Sequence, residues 1–114
     1  DVARNATLRL LESENRPDAI LAFNDIITYA AFDAIKAKGL RIPDDVAIIG
    51  FTDGDTAAFV TPSLSAIMDK AHEQGAKACE LLMRNINGDE KIYKEVVPMI
   101  LKIRESSEKN ETKR

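Results

Sequence analysis

Apolar positions along this chain fall into two kinds of pattern, helical stripes and short unbroken runs, and their alternation predicts the order of elements. The chain opens on a stripe formed by Val2, Ala6 and Leu10 with Leu11 beside it. That stripe stops near Asn15-Arg16-Pro17, because proline and the residue before it disfavour the α conformation. Ala19 to Phe23 is then a continuous apolar run without alternation, the pattern of a strand buried on both faces of a parallel sheet. Asn24 and Asp25 supply N-cap side chains to a helix through about Lys38, whose Ile27, Ala31, Ala34 and Ile35 recur at helical spacing. Gly39 closes that helix in the left-handed C′ position, and Lys36 and Lys38 suit its dipole.

Ile42-Pro43-Asp44-Asp45 reads as a turn, and Val46 to Gly50 as a second buried strand. Two such strands joined by one helix imply a right-handed parallel crossover, with helices on both sheet faces. Thr52 to Ser63 is irregular and leads into a short apolar segment from Leu64 to Met68. Residues 70–87 form a further helix, with Gly75, Ala78, Cys79, Leu82 and Ile86 on one stripe and Gly88 as its stop. Val97, Met99, Leu101 and Ile103 alternate as a last strand, with Pro98 placing part of it at an edge. Glu105 to Arg114 reads as a solvated, disordered tail. The predicted fold class is α/β, a three-layer and mainly parallel sheet flanked by helices. Three or four strands are few for the buried strand type, and the opening inside a helical pattern leads us to expect chain before Asp1.

Composition narrows the function classes. With 45% hydrophobic and 31% charged residues over 114 positions, the sequence sits in the range of one soluble globular domain. Its longest apolar stretches, about five to seven residues, fall far short of the ~20 that span a bilayer. Net charge is −3 with the basic residues dispersed, so no basic stripe is present to neutralise nucleic-acid phosphates. One cysteine and one histidine argue against a disulfide framework and against a metal site. The motifs GxGxxG, GxxxxGK[ST], GxSxG and CxxC are all missing, which points away from an enzyme and from a bound cofactor.

Candidate chemistry gathers at the ends of the two predicted strands. In open α/β sheets, ligands bind beyond the carboxyl ends of the parallel strands. Asn24-Asp25 and Thr52-Asp53 place donors and acceptors on that rim, as a polyhydroxylated ligand requires. Helix capping by Asn24-Asp25 and turn chemistry at Thr52-Asp53 are equal alternatives, and capping is compatible with ligand contact. Asp44-Asp45 reads as a solvated turn rather than a pair for acid/base work. His72 and Glu73 are adjacent on a helix and do not face each other, so His72 reads as a surface residue. Cys79, on the apolar stripe, is expected to be a buried core thiol. Phe59 and Val60, in a polar loop, are either core plugs or part of a partner surface.

Read together, PDAILAFND (Pro17 to Asp25), GLRIPDDVAIIGFTD (Gly39 to Asp53), TPSLSAI (Thr61 to Ile67) and LKIRESS (Leu101 to Ser107) resemble the LacI/GalR family of bacterial transcriptional regulators. The resemblance implies the second half of a periplasmic-binding-protein-like effector domain, in which two α/β lobes clamp a small effector, chiefly a carbohydrate. Operator DNA would be read by a helix-turn-helix outside this chain, in a cytoplasmic homodimer without a membrane anchor. Residues 1–69 would belong to the C-terminal lobe, 70–88 to a helix on the other lobe and 89–104 to the final strand segment. Asn24 matches the effector-contacting asparagine at its strand end. Thr52 stands where many members carry an aspartate that accepts sugar hydroxyls, so Asp53 would take that part or recognition would differ. Asp69 stands near the hinge, where glutamine is frequent. Tyr29, expected to point outward from its helix, and Phe59 and Val60 resemble the family's dimer surface. A solute-binding transport protein is the nearest alternative, and a receiver-like domain with Asp53 as phosphoacceptor a more distant one.

Overall fold

β1 (Ala19–Ala22), β2 (Ala47–Phe51) and β3 (Ser65–Met68) pair in parallel in sequence order, and β4 (Ile100–Lys102) joins antiparallel to β3 at the edge. They come from a computed structural model that describes residues 2–52 and 55–109. The helices are α1 (Val2–Glu12), α2 (Asp25–Ala37), α3 (Thr56–Phe59) and α4 (Ala71–Ile86). The order of elements is the one the apolar pattern predicts, with the single turn of α3 added inside the loop after β2.

α2 starts and stops where its sequence says it should. Asn24 Oδ1 accepts from the Ile27 N–H at 2.9 Å, satisfying one of the helix's orphan donors. Past the helix end, Gly39 takes φ 70°, which a side chain would resist. Between them, Thr28, Ala31, Phe32, Ala34 and Ile35 form the buried arc. Of these, Ala31, Phe32 and Ile35 pack with Leu11 of α1, Ile48 of β2, Ala57 of α3 and Leu64 and Ala66 around β3 into one core. Full burial of side chains such as Ile35, Ile48 and Leu64 contributes about 1.5–3 kcal/mol each before the entropy of ordering is counted.

The approach of α2 to the sheet depends on one residue without a side chain. A Cβ on Gly50 would lie 2.2 Å from Thr28 Cγ2 and 2.3 Å from its Oγ1. Register pairs Gly50 with Ala22 and Ala66, so these small residues form the sheet face on which α2 lies. The turn before β2 is held by charge. The Arg41 guanidinium meets Asp45 at 2.8 Å and Asp44 at 3.3 Å. Hydrogen bonds from the Arg41 side chain and backbone hold the Asp45 carboxyl down to about 2.

Four expectations are corrected. β1 is not buried on both faces in this chain: Leu21 is 66% exposed and Phe23 77%, because α1 and α2 lie on the face that holds Ala22. Cys79 is exposed and no residue of α4 is buried; its amphipathic stripe is real but faces no layer of this chain. Tyr29 does not point outward. It lies one position past Thr28 and three before Phe32, on the shoulder of the buried arc, where it packs against the core. Its hydroxyl is buried without a hydrogen-bond partner.

The fourth correction concerns the chain end. Residues 105–109 are docked rather than solvated tail, and 110–114 lie outside the described residues. Ser106 is fully buried and bridges the two central strands. The Ile48 N–H donates to its backbone oxygen at 2.9 Å, and its hydroxyl donates to the Ile48 carbonyl at 2.6 Å. The same hydroxyl accepts from the Ser65 N–H at 2.8 Å. Glu105 accepts from the Ser63 N–H at 2.7 Å and its hydroxyl at 2.9 Å, which holds the Glu105 carboxyl below the usual glutamate range.

Candidate functional site

Because β1, β2 and β3 run parallel, their carboxyl ends open on one edge, and each apolar run is followed there by a polar residue. Asn24 follows Phe23 beyond β1, Thr52 follows β2 and Asp69 follows β3. These three residues line an open cavity of about 410 Å³ together with Phe23, Asp25, Phe51, Ile67 and Met99. That volume lies within the ~300–1,000 Å³ of small-molecule sites, and its mix of apolar floor and few polar groups suits one.

The sequence-predicted rim is therefore assembled in part. Asn24, Asp25, Thr52 and Asp69 come together, whereas Asp53 lies outside the described residues. Asn24 caps its helix as expected and also lines the cavity. Its backbone is extended at φ −153°, its Oδ1 caps α2, and its carbonyl accepts from the Thr28 hydroxyl at 2.6 Å. With Oδ1 engaged, the side-chain amide nitrogen is the end left to donate to a ligand. Thr52 is buried, and its N–H donates to the Ile67 carbonyl at 3.1 Å, extending the β2–β3 ladder to the cavity floor. Asp69 is exposed on the opposite side of the mouth.

Sequence reasoning missed the floor. Phe23 and Phe51 stand with ring centroids 6.2 Å apart and planes tilted by 45°. A signal was available, since an aromatic residue directly precedes the polar residue at both strand ends. Met99 had no such signal. It enters from the segment before β4, which becomes a neighbour only through pairing with β3.

The remaining candidates lie elsewhere. His72 is exposed on α4, as expected of a surface histidine. Phe59 is 82% exposed at the end of α3, while Val60 packs against the core. Among the described residues, no group of three His, Cys, Asp or Glu side chains is arranged to hold a metal ion. No helix among them is long and apolar enough to cross a membrane.

A parallel sheet with a ligand-sized cavity at its carboxyl edge defines a class, and the chain matches the periplasmic binding protein-like domain over residues 1–107. It belongs to the LacI/GalR family, as part of the effector-binding domain. It is 34% identical over 84 residues to the HTH-type transcriptional repressor PurR of Aliivibrio salmonicida, covering 74% of this chain and 25% of the relative. It is 36% identical over 88 residues to the ribose operon repressor of Haemophilus influenzae, covering 77% and 26%. The chain thus spans about a quarter of the length of these curated relatives. Among solved structures, a LacI family transcriptional regulator from Bifidobacterium animalis superposes with TM-score 0.85 at 32% identity, over 92% of this chain and 39% of that one. A LacI family regulator from Arthrobacter in complex with lactose gives TM-score 0.78 at 31% identity, over 93% and 40%.

Proposed function

We propose that this chain is the ligand-sensing part of a cytoplasmic, homodimeric DNA-binding transcriptional regulator. It binds a small effector, a sugar or sugar derivative, in a cleft between two lobes and thereby sets the affinity for operator DNA. The observation that carries the reading is the convergence of Asn24, Thr52 and Asp69, from three separate strand ends, on one cavity. The relative solved in complex with lactose supports a carbohydrate as the ligand. Contact with DNA is made by a domain outside this chain. Effector acts through its differential affinity for two lobe arrangements, which is the only way a ligand shifts such an equilibrium. No step of bond making or breaking is involved.

In this reading the chain supplies one wall of the cleft, and α4 packs on the other lobe. The unburied stripe of α4 supports that placement. Phe59 is the dimer contact that the exposed surface supports, whereas Tyr29 and Val60 pack against the core of this chain. A solute-binding transport role is less well supported, because the curated relatives above are named as repressors.

The test separates the two jobs of Asn24 in the complete protein. Serine at this position still caps a helix but loses the amide donor, whereas alanine loses both. Asn24→Ser and Asn24→Ala should both weaken sugar binding by about 0.5–1.5 kcal/mol in calorimetry, the worth of one neutral hydrogen bond. Only Asn24→Ala should also lower stability, by about 0.5–2 kcal/mol. Sugar affinity unchanged in both variants would remove Asn24 from the site.

A further inference from the structure

We infer that the half-site on this chain selects against anionic groups, so that the part of the effector it receives is an uncharged polyol. This rests on the effector-cleft reading above and concerns the ligand's charge. The carboxyl edge of a parallel sheet, with a helix N-terminus beside it, is the usual place for a phosphate in α/β proteins, because free N–H groups and the helix dipole favour an anion. Here that potential is answered in part from within. The Ile27 N–H is taken by Asn24 Oδ1 at 2.9 Å, and the carboxylate of Asp25 occupies the first turn of α2. Across the mouth, Asp69 brings a second carboxylate to the same cavity. The cation that follows it in sequence, Lys70, is ion-paired to Glu73 at 3.0 Å.

The floor strengthens the effect. Phe23, Phe51, Ile67 and Met99 replace water beneath the ligand, and charges above an apolar surface are less screened than in bulk solvent. Coulomb repulsion from one carboxylate at about 6 Å, with an effective dielectric between ~20 and ~80, lowers affinity about three- to a hundred-fold. Hydroxyl groups meet the opposite situation, because each donates to a carboxylate oxygen in a charge-assisted hydrogen bond. The Asn24 amide then serves as donor to a ring or hydroxyl oxygen.

The experiment is calorimetric titration of the complete protein with neutral monosaccharides and disaccharides, each beside its phosphate ester and its uronic acid. The sugar that binds best should lose affinity at least about ten-fold on phosphorylation or oxidation. Asp25→Asn or Asp69→Asn should shrink that ratio several-fold. A charged derivative that binds as tightly as its parent, or a ratio unmoved in both variants, would overturn the inference. Binding of a purine nucleoside in place of every sugar would instead sink the sugar reading. The charge comparison would then pass to that nucleoside and its monophosphate, and tighter monophosphate binding would overturn the inference there too.

Discussion

Replacement of Ser106 by alanine should be among the most damaging single-atom changes in this chain, although its neighbourhood reads in sequence as a polar tail. The hydroxyl lies in the seam where β2 and β3 have not yet begun to pair directly. It donates to the Ile48 carbonyl at 2.6 Å and accepts from the Ser65 N–H at 2.8 Å. Alanine leaves both backbone groups in place and buried, without the hydroxyl that satisfied them. Each stranded buried group costs about 1–3 kcal/mol, so the pair predicts a loss of about 2–6 kcal/mol. Ser107→Ala is the matched control. Its hydroxyl contacts Ser65 Oγ at 2.7 Å, but Ser65 also donates to the Arg104 carbonyl at 2.9 Å, so its removal should cost no more than about 1.5 kcal/mol. Urea denaturation of the complete protein, with the unfolding transition of this lobe followed separately and its m-value unchanged, measures the difference. A Ser106→Ala variant within about 0.5 kcal/mol of the parent would refute the claim that the segment is a structural clasp.

Gly50→Ala should destabilise this lobe by at least about 1–3 kcal/mol, because its Cβ would collide with the Thr28 side chain and push α2 off the sheet; an unchanged melting temperature would contradict that. Asp45 supplies a pH test whose sign is fixed by its depressed carboxyl. The stability it contributes is present above its ordinary value of 3.8 and is lost as pH falls towards about 2. Asp45→Asn should therefore be less stable than the parent at pH 6, with the gap closing by about pH 2, and a gap persisting there would refute the assignment to Arg41. Cys79 reports on α4. If its stripe docks on the other lobe, a bulky thiol reagent should label Cys79 slowly in the native complete protein and quickly after denaturation, and equal rates would remove that docking.

What was legible in the sequence is what lies within a turn or a strand of itself. The capping role of Asn24 and its position on the cavity rim are both local facts, since a cap must sit where the strand ends and the helix begins. The strand runs, Gly39 and the polar residues beyond β1 and β2 follow for the same reason. Ser106 and Met99 are of another kind. Ser106 is buried by partners 41 and 58 positions away, and a short polar residue looks identical in sequence whether its hydroxyl meets water or a backbone seam. Tyr29 and Cys79 show the complementary limit from opposite directions. Helical periodicity places each on an arc but does not set the width of the covered arc or name what covers it, so a shoulder residue reads as outward and a stripe residue as core. The same limit makes the rim legible in the sequence and hides the floor. Polar residues at strand ends announce themselves by interrupting an apolar run, whereas Phe23 and Phe51 continue the run and become floor only because the parallel register brings two strand ends level.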